Sequence, residues 1–145
     1  MKYLLDASAL LPLITRHGRQ LIAEASRENL VTTDLAMYEA SNSLWKLAAL
    51  LKSISVEDAV DVATTLKDLA TKGVVQPTNL ADLSFPDTMD TAYKETLTFY
   101  DASYIITAKN AEAILVTEDE KLRRAANKFV KTITYTDLES RLAQR

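Results

Sequence analysis

Five short apolar, β-rich segments punctuate this chain, at Lys2–Leu5, Leu30–Thr33, Val74–Val75, Ala113–Thr117 and Val130–Tyr135. Helical periodicity fills the stretches between and beside them: 18–28, 34–52, 56–72, 86–98, 100–110 and 119–127. Alternation of this kind calls for parallel strands joined by right-handed helical crossovers, with helices covering both faces of the sheet. The expected fold is therefore α/β: a three-layer α/β/α arrangement around a central parallel sheet of four to five strands. The stretch 76–85 is fenced by Gly73, Pro77 and Pro86 and reads as a loop between two halves of one sheet. With 145 residues and no linker-like segment, a single domain over 1–145 is expected.

Composition removes several chemistries. The chain has no cysteine and one histidine, His17, so neither a disulfide framework nor a zinc cluster can be assembled. Its two glycines, Gly18 and Gly73, belong to no nucleotide-binding glycine motif. The apolar start is interrupted by Asp6 and Pro12 and does not read as a signal peptide. No apolar run approaches the roughly 18 to 20 residues of a membrane helix. A soluble, cytoplasmic protein without membrane contact is expected. With 17 Lys+Arg against 20 Asp+Glu, the net charge of −3 gives no global pull on a polyanion, which must be drawn locally.

In an open parallel sheet, ligands bind outside the carboxyl ends of the strands. Four acids lie where such a crevice would form. Asp6 directly follows the first strand, a position that also suits a helix N-cap. Glu39 stands in the helix after the second strand, on a strip with Asn42, Ser43 and Lys46 that would equally make a solvated face. Asp101 shares a helix face with Tyr104, Ile105 and Ala108, where a carboxylate needs a partner or a metal. Asp119 follows the buried strand Ile114–Val116, in a run that also matches a capping box with Thr117 as N-cap and Glu120 completing it. Gathered at adjacent strand ends these carboxylates would repel one another. A hard divalent cation, Mg²⁺ or Mn²⁺, takes oxygen ligands and would resolve the repulsion without His or Cys.

At these residues the chain resembles the PIN-domain ribonucleases, and among them the VapC-type toxins of toxin–antitoxin pairs. The resemblance is carried by four segments in order: Leu4-Leu5-Asp6-Ala7-Ser8-Ala9; Tyr38-Glu39-Ala40-Ser41-Asn42; Tyr100-Asp101-Ala102-Ser103-Tyr104; and Leu115-Val116-Thr117-Glu118-Asp119-Glu120-Lys121-Leu122. The third, similar to the family's YDAxY segment, is the most specific. The resemblance implies catalytic metal ligands at Asp6, Glu39, Asp101 and Asp119, with Ser8, Asn42 and Thr117 supporting them. It implies an endoribonuclease with an RNA substrate, a homodimer, and a small antitoxin that occludes the acidic crevice.

The chemistry expected of such a site is in-line attack by a metal-activated water on a phosphodiester. A two-histidine mechanism is disfavoured by the lone His17. Lys46 and Arg123 are the candidate phosphate contacts. Trp45, with Leu44, Leu47, Ala48 and Leu51, reads as core in preference to a groove for an antitoxin helix. A dehalogenase-like phosphatase would need an Asp where Ser8 stands, and a phosphoacceptor receiver domain would need a second acid beside Asp6. Two readings compete with the toxin: a PIN-like scaffold that binds RNA or protein without cutting, and a nuclease of RNA maturation outside any toxin–antitoxin pair.

Overall fold

The computed structural model of the protein describes residues 1–18, 20 and 29–143. The helix expected over 18–28 lies outside the described residues, apart from its positions 18 and 20. In chain order the elements are β1 (Lys2–Leu5), α1 (Ala7–His17), β2 (Asn29–Thr33), α2 (Asp34–Trp45) running into a π-helical turn (Lys46–Leu50), α3 (Val56–Thr71), β3 (Val75–Thr78), a short 3₁₀ turn (Leu80–Asp82), α4 (Phe85–Glu95), α5 (Phe99–Ala111), β4 (Ile114–Val116), α6 (Glu120–Ala126), β5 (Thr132–Ile133) and α7 (Tyr135–Ala143).

The five strands form one parallel sheet in the order β3-β2-β1-β4-β5. The chain steps outward from β1 to β3, crosses back to β4, and steps outward again to β5. Right-handed crossovers send the helices of these two directions to opposite faces. Accordingly α1, α2 and α3 pack on one another, while α5 covers β1 and β4. This is the expected three-layer α/β/α architecture. Its centre is apolar on both sides of the sheet: Leu4, Leu5, Leu115 and Val116 are fully buried, as are Leu10, Leu13 and Ile105 from the flanking helices. Truncating any one of these leucines to Ala would cost about 2–5 kcal/mol.

Helix starts follow hydroxyl and carboxylate caps. Thr33, Ser55, Ser84 and Thr98 each accept a backbone N–H three residues on. Asp119, not Thr117, caps α6 by accepting the Leu122 N–H, so the capping box expected from Thr117 does not form. Thr117 is turned inward instead, to a partner described below.

Other boundaries differ from the sequence reading for identifiable reasons. β3 runs through Pro77 to Thr78, into the stretch expected to be a loop. It is an edge strand, where a missing N–H costs no ladder bond. The helix expected over 86–98 ends at Glu95, because Thr96 adopts a left-handed conformation with φ 54°. The last strand is only Thr132–Ile133, and Tyr135 begins α7, which seats Tyr135 and Leu138 in the core. Trp45, expected in the core, is 52% exposed at the end of α2.

Candidate active site

Strand register builds the site. Leu5 lies opposite Val116 in the β1–β4 pair, so the residues that follow, Asp6 and Thr117, leave the sheet side by side. The Asp6 N–H still reaches the Val116 carbonyl at 3.2 Å. Asp6 is only 4% exposed. Its Oδ1 accepts Ser8 Oγ at 2.6 Å and the Ala9 N–H at 3.0 Å, and its Oδ2 accepts Thr117 Oγ1 at 2.5 Å. Asp6 is thus the N-cap of α1, and the cap uses Oδ1 together with Ser8 while Oδ2 is held by Thr117.

The hydroxyl protons can be counted. Ser8 and Thr117 each have one, and each gives it to Asp6, which leaves both hydroxyl oxygens as acceptors. Thr117 Oγ1 then takes the Asp119 N–H at 3.0 Å, and Ser8 Oγ takes the Glu118 N–H at 2.9 Å. Two hydroxyls therefore fold the start of the β4–α6 connection over Asp6 and bring Asp119 with it. Arg123 Nη1 donates to the Thr117 carbonyl at 3.3 Å, tying α6 to the same corner.

The electrostatics report the crowding. Burial raises the Asp6 carboxyl above its ordinary value; its hydrogen bonds with Ser8, Thr117 and Ala9 pull the other way, and the charge on Asp119 adds to the rise. Asp101, in the first turn of α5 above the sheet, is also raised, first by partial burial and then by Asp119, with Lys121 opposing. Three of the four acids are thus coupled through Asp119. Glu39 joins from the exposed side of α2: its Oε1 accepts the hydroxyl of Tyr104 at 3.0 Å. The Tyr104 phenol is held well above its ordinary range by burial, by the Glu39 charge and hydrogen bond, and by the Asp6 charge, so it stays protonated and donating.

Of the residues singled out in the sequence, Asp6, Ser8, Thr117, Asp119 and Arg123 are joined by hydrogen bonds at this corner. Asp101 feels the charge of Asp119 without touching it, and Glu39 hydrogen-bonds Tyr104, which feels the charge of Asp6. Asn42 is exposed on α2, one turn beyond Glu39, and its side chain makes no hydrogen bond among the described residues. Lys46 is exposed at the start of the π-helical turn, nearly two turns from Glu39. Tyr104 and Lys121 are the site residues that sequence reasoning did not select. Tyr104 was placed on a face with Asp101, but its link to a different helix has no sequence signal.

Among the described residues none of the four acids has a salt-bridge partner. No three of them stand close enough together to form a ready-made ligand group. An all-oxygen donor set with uncompensated charge fits a hard cation such as Mg²⁺, which usually keeps several waters and takes only one or two carboxylates directly.

Fold and site together define a three-layer α/β/α protein with Asp6 and Asp119 brought side by side at the carboxyl edge of its parallel sheet. The model of the PIN domain matches residues 3–128. Over 99% of its length the chain is 34% identical to Exonuclease VapC9 of Pyrobaculum aerophilum, covering 96% of that protein. It is 31% identical to Ribonuclease VapC3 of the same organism, over 92% of this chain and 99% of that one. The crystal structure of PAE2754 from Pyrobaculum aerophilum superposes with a TM-score of 0.74 at 30% identity, covering 100% of this chain and 98% of the other. VapBC-1 from nontypeable Haemophilus influenzae shares the fold, with a TM-score of 0.57 at 16% identity over 94% of this chain and 99% of that one. The chain belongs to the PIN domain family.

Proposed function

We propose that this protein is a metal-dependent endoribonuclease and the toxin of a toxin–antitoxin pair. The observation that carries the reading is Asp6: a nearly buried carboxylate, facing the charge of Asp119, with no basic partner among the described residues. The names of the relatives, an exonuclease and a ribonuclease of VapC type, support nuclease activity and a toxin role.

In this reading Asp6, Glu39, Asp101 and Asp119 hold Mg²⁺ or Mn²⁺. A bound divalent cation supplies Lewis acidity toward the phosphodiester and makes water a competent nucleophile near neutral pH. Asp6 is held immobile by Ser8, Thr117 and Ala9, so its oxygens need no reorganisation on binding. The charges of Asp101 and Asp119 repel one another, which favours the bound cation over the empty site. Arg123, anchored to the Thr117 carbonyl, and Lys46 farther along α2 offer positive charge to the phosphates of RNA.

Two exposed apolar surfaces support the partners. Leu44, Trp45, Ala48, Val56 and Val60 line a groove of about 410 Å³ between α2 and α3, suited to the apolar face of an antitoxin helix. Phe85, Met89 and Tyr93, spaced i, i+4, i+8 on α4, form an exposed stripe suited to a homodimer. No helix of the described residues is long and apolar enough to cross a membrane.

The direct test is incubation of purified protein with a mixed RNA pool in Mg²⁺ or Mn²⁺, in EDTA, and with Asp101→Asn as a folded control. Cutting that requires the ion and is lost in the variant is the expected result. Identical, inert behaviour of both proteins despite cation binding would leave a binding scaffold. Expression with and without a neighbouring small gene tests the toxin role: growth arrest only in its absence is expected, and equal growth would remove that role.

A further inference from the structure

Glu39 stands exposed on α2, where three side-chain torsions leave a glutamate carboxylate free to swing. Tyr104 is its opposite: the residue is 2% exposed, on a helix that buries positions 102–106 and 108. Its hydroxyl donates to Glu39 Oε1 at 3.0 Å, bridging two helices whose residues are 65 positions apart in the chain. We propose that Tyr104 is the positioning residue for Glu39, holding Oε1 so that Oε2 is the oxygen left available to a cation. The inference rests on the metal-dependent nuclease reading above and deepens it.

A buried phenol has no freedom to follow a wandering carboxylate, so the bond fixes Glu39 and not the reverse. A hydrogen bond to a charged acceptor is stronger than one between neutral groups, enough to select one arrangement of an exposed side chain. This assigns unlike roles to the two acidic arms of the crevice. Asp6 is fixed by its own burial and three donors, whereas Glu39 is fixed by one donor from another helix. A tyrosine that merely satisfied its own hydroxyl would make the same bond; the two cases differ in whether the cation is affected.

Tyr104→Phe separates them. The ring remains, and the carboxylate released is exposed and solvated by water, so no buried acceptor is orphaned and the fold is retained, as a wild-type circular dichroism spectrum and a single cooperative thermal transition will verify. Mn²⁺ affinity is then measured by electron paramagnetic resonance on the full chain as wild type, Tyr104→Phe, Glu39→Gln and the double variant. The expected result is binding roughly tenfold weaker in Tyr104→Phe, the usual scale for losing a partner behind a metal ligand, and no further loss when the change is added to Glu39→Gln. In RNA cleavage kcat falls with KM held. Unchanged affinity in Tyr104→Phe, or an equal loss in both backgrounds, overturns the positioning role while leaving the nuclease reading intact. A wild type that binds no Mn²⁺ overturns the nuclease reading itself, and the positioning role with it.

Discussion

The hydroxyl of Thr117 donates to Oδ2 of Asp6 across 2.5 Å, although 111 residues separate the two in the chain. The contact follows from the β1–β4 register, and the same oxygen of Thr117 accepts the Asp119 N–H. One side chain therefore fixes a buried acid and aims a second.

Thr117→Val keeps the size and branching of the side chain and removes both bonds. An acceptor of Asp6 is then left buried without its donor, which costs about 1–3 kcal/mol. Mn²⁺ affinity is expected to fall by roughly 10- to 100-fold. Urea denaturation and metal titration of the purified variant check the two losses together; a variant as stable as wild type would show that water replaces the hydroxyl.

Asp119 caps α6 and charges the crevice, and two substitutions divide those roles. Asparagine is as good an N-cap as aspartate, whereas alanine costs about 1 kcal/mol. Asp119→Asn is expected to lose metal-dependent cleavage at unchanged stability, and Asp119→Ala to lose both. Cleavage by Asp119→Asn at the wild-type rate would remove Asp119 from the metal ligands.

The acids also set a pH dependence. Asp6 and Asp101 have raised values in the fold, so their ionised forms weaken it. Without divalent ions the folded state should gain from protonating them as the pH falls from neutrality through their raised values, a gain complete by the ordinary value of 3.8. Asp101→Asn should gain less than wild type over that range. Glu139 works with the opposite sign. Hydrogen bonds from Tyr135 and His17, aided by Arg16, hold it at about 2, so its contribution is present above 4.5 and is lost as the pH falls toward 2. Glu139→Gln should be less stable at neutrality and converge on wild type in acid. Denaturant midpoints of the three proteins across pH decide this, and parallel curves for wild type and Asp101→Asn would contradict the rise that burial and the charge of Asp119 give Asp101.

Thr96 holds φ 54° at the end of α4, a left-handed conformation that a β-branched residue adopts at a cost. Thr96→Gly removes that cost and adds some entropy to the unfolded chain. A net stabilisation of about 0.5–1 kcal/mol is expected in thermal or chemical unfolding, with cleavage unaffected.

What the sequence disclosed and withheld divides along physical lines. Sheet class, β1 and β4 were legible because a fully buried strand leaves an apolar run, and Asp6 was conspicuous because it directly follows Leu5. β3 was shortened because Pro77 reads as a breaker, and nothing local says that its strand will lie at the sheet edge. α7 was missed because only Tyr135 and Leu138 of its nine residues are buried, too few for a helical period to show. The break at Thr96 came without the glycine that usually announces one. Trp45 looked like core because an apolar stripe has the same spacing whether or not another element covers it. The site's acids could be listed singly, but the pairing of Tyr104 with Glu39 depends on how α5 packs beside α2, which no spacing encodes.

The strand order has a temporal meaning as well. Emerging from a ribosome, the chain yields Asp6 first and Thr117 only 111 positions later. Until β4 inserts beside β1, Asp6 lacks its second hydroxyl and its acidic neighbour, however many of the other acids have already been made. Contacts between such distant segments are also the slow ones to form. A nascent chain that still lacks β4 is therefore an assortment of acids without the corner that joins them, and on the proposed reading it cannot yet bind its cation or cut.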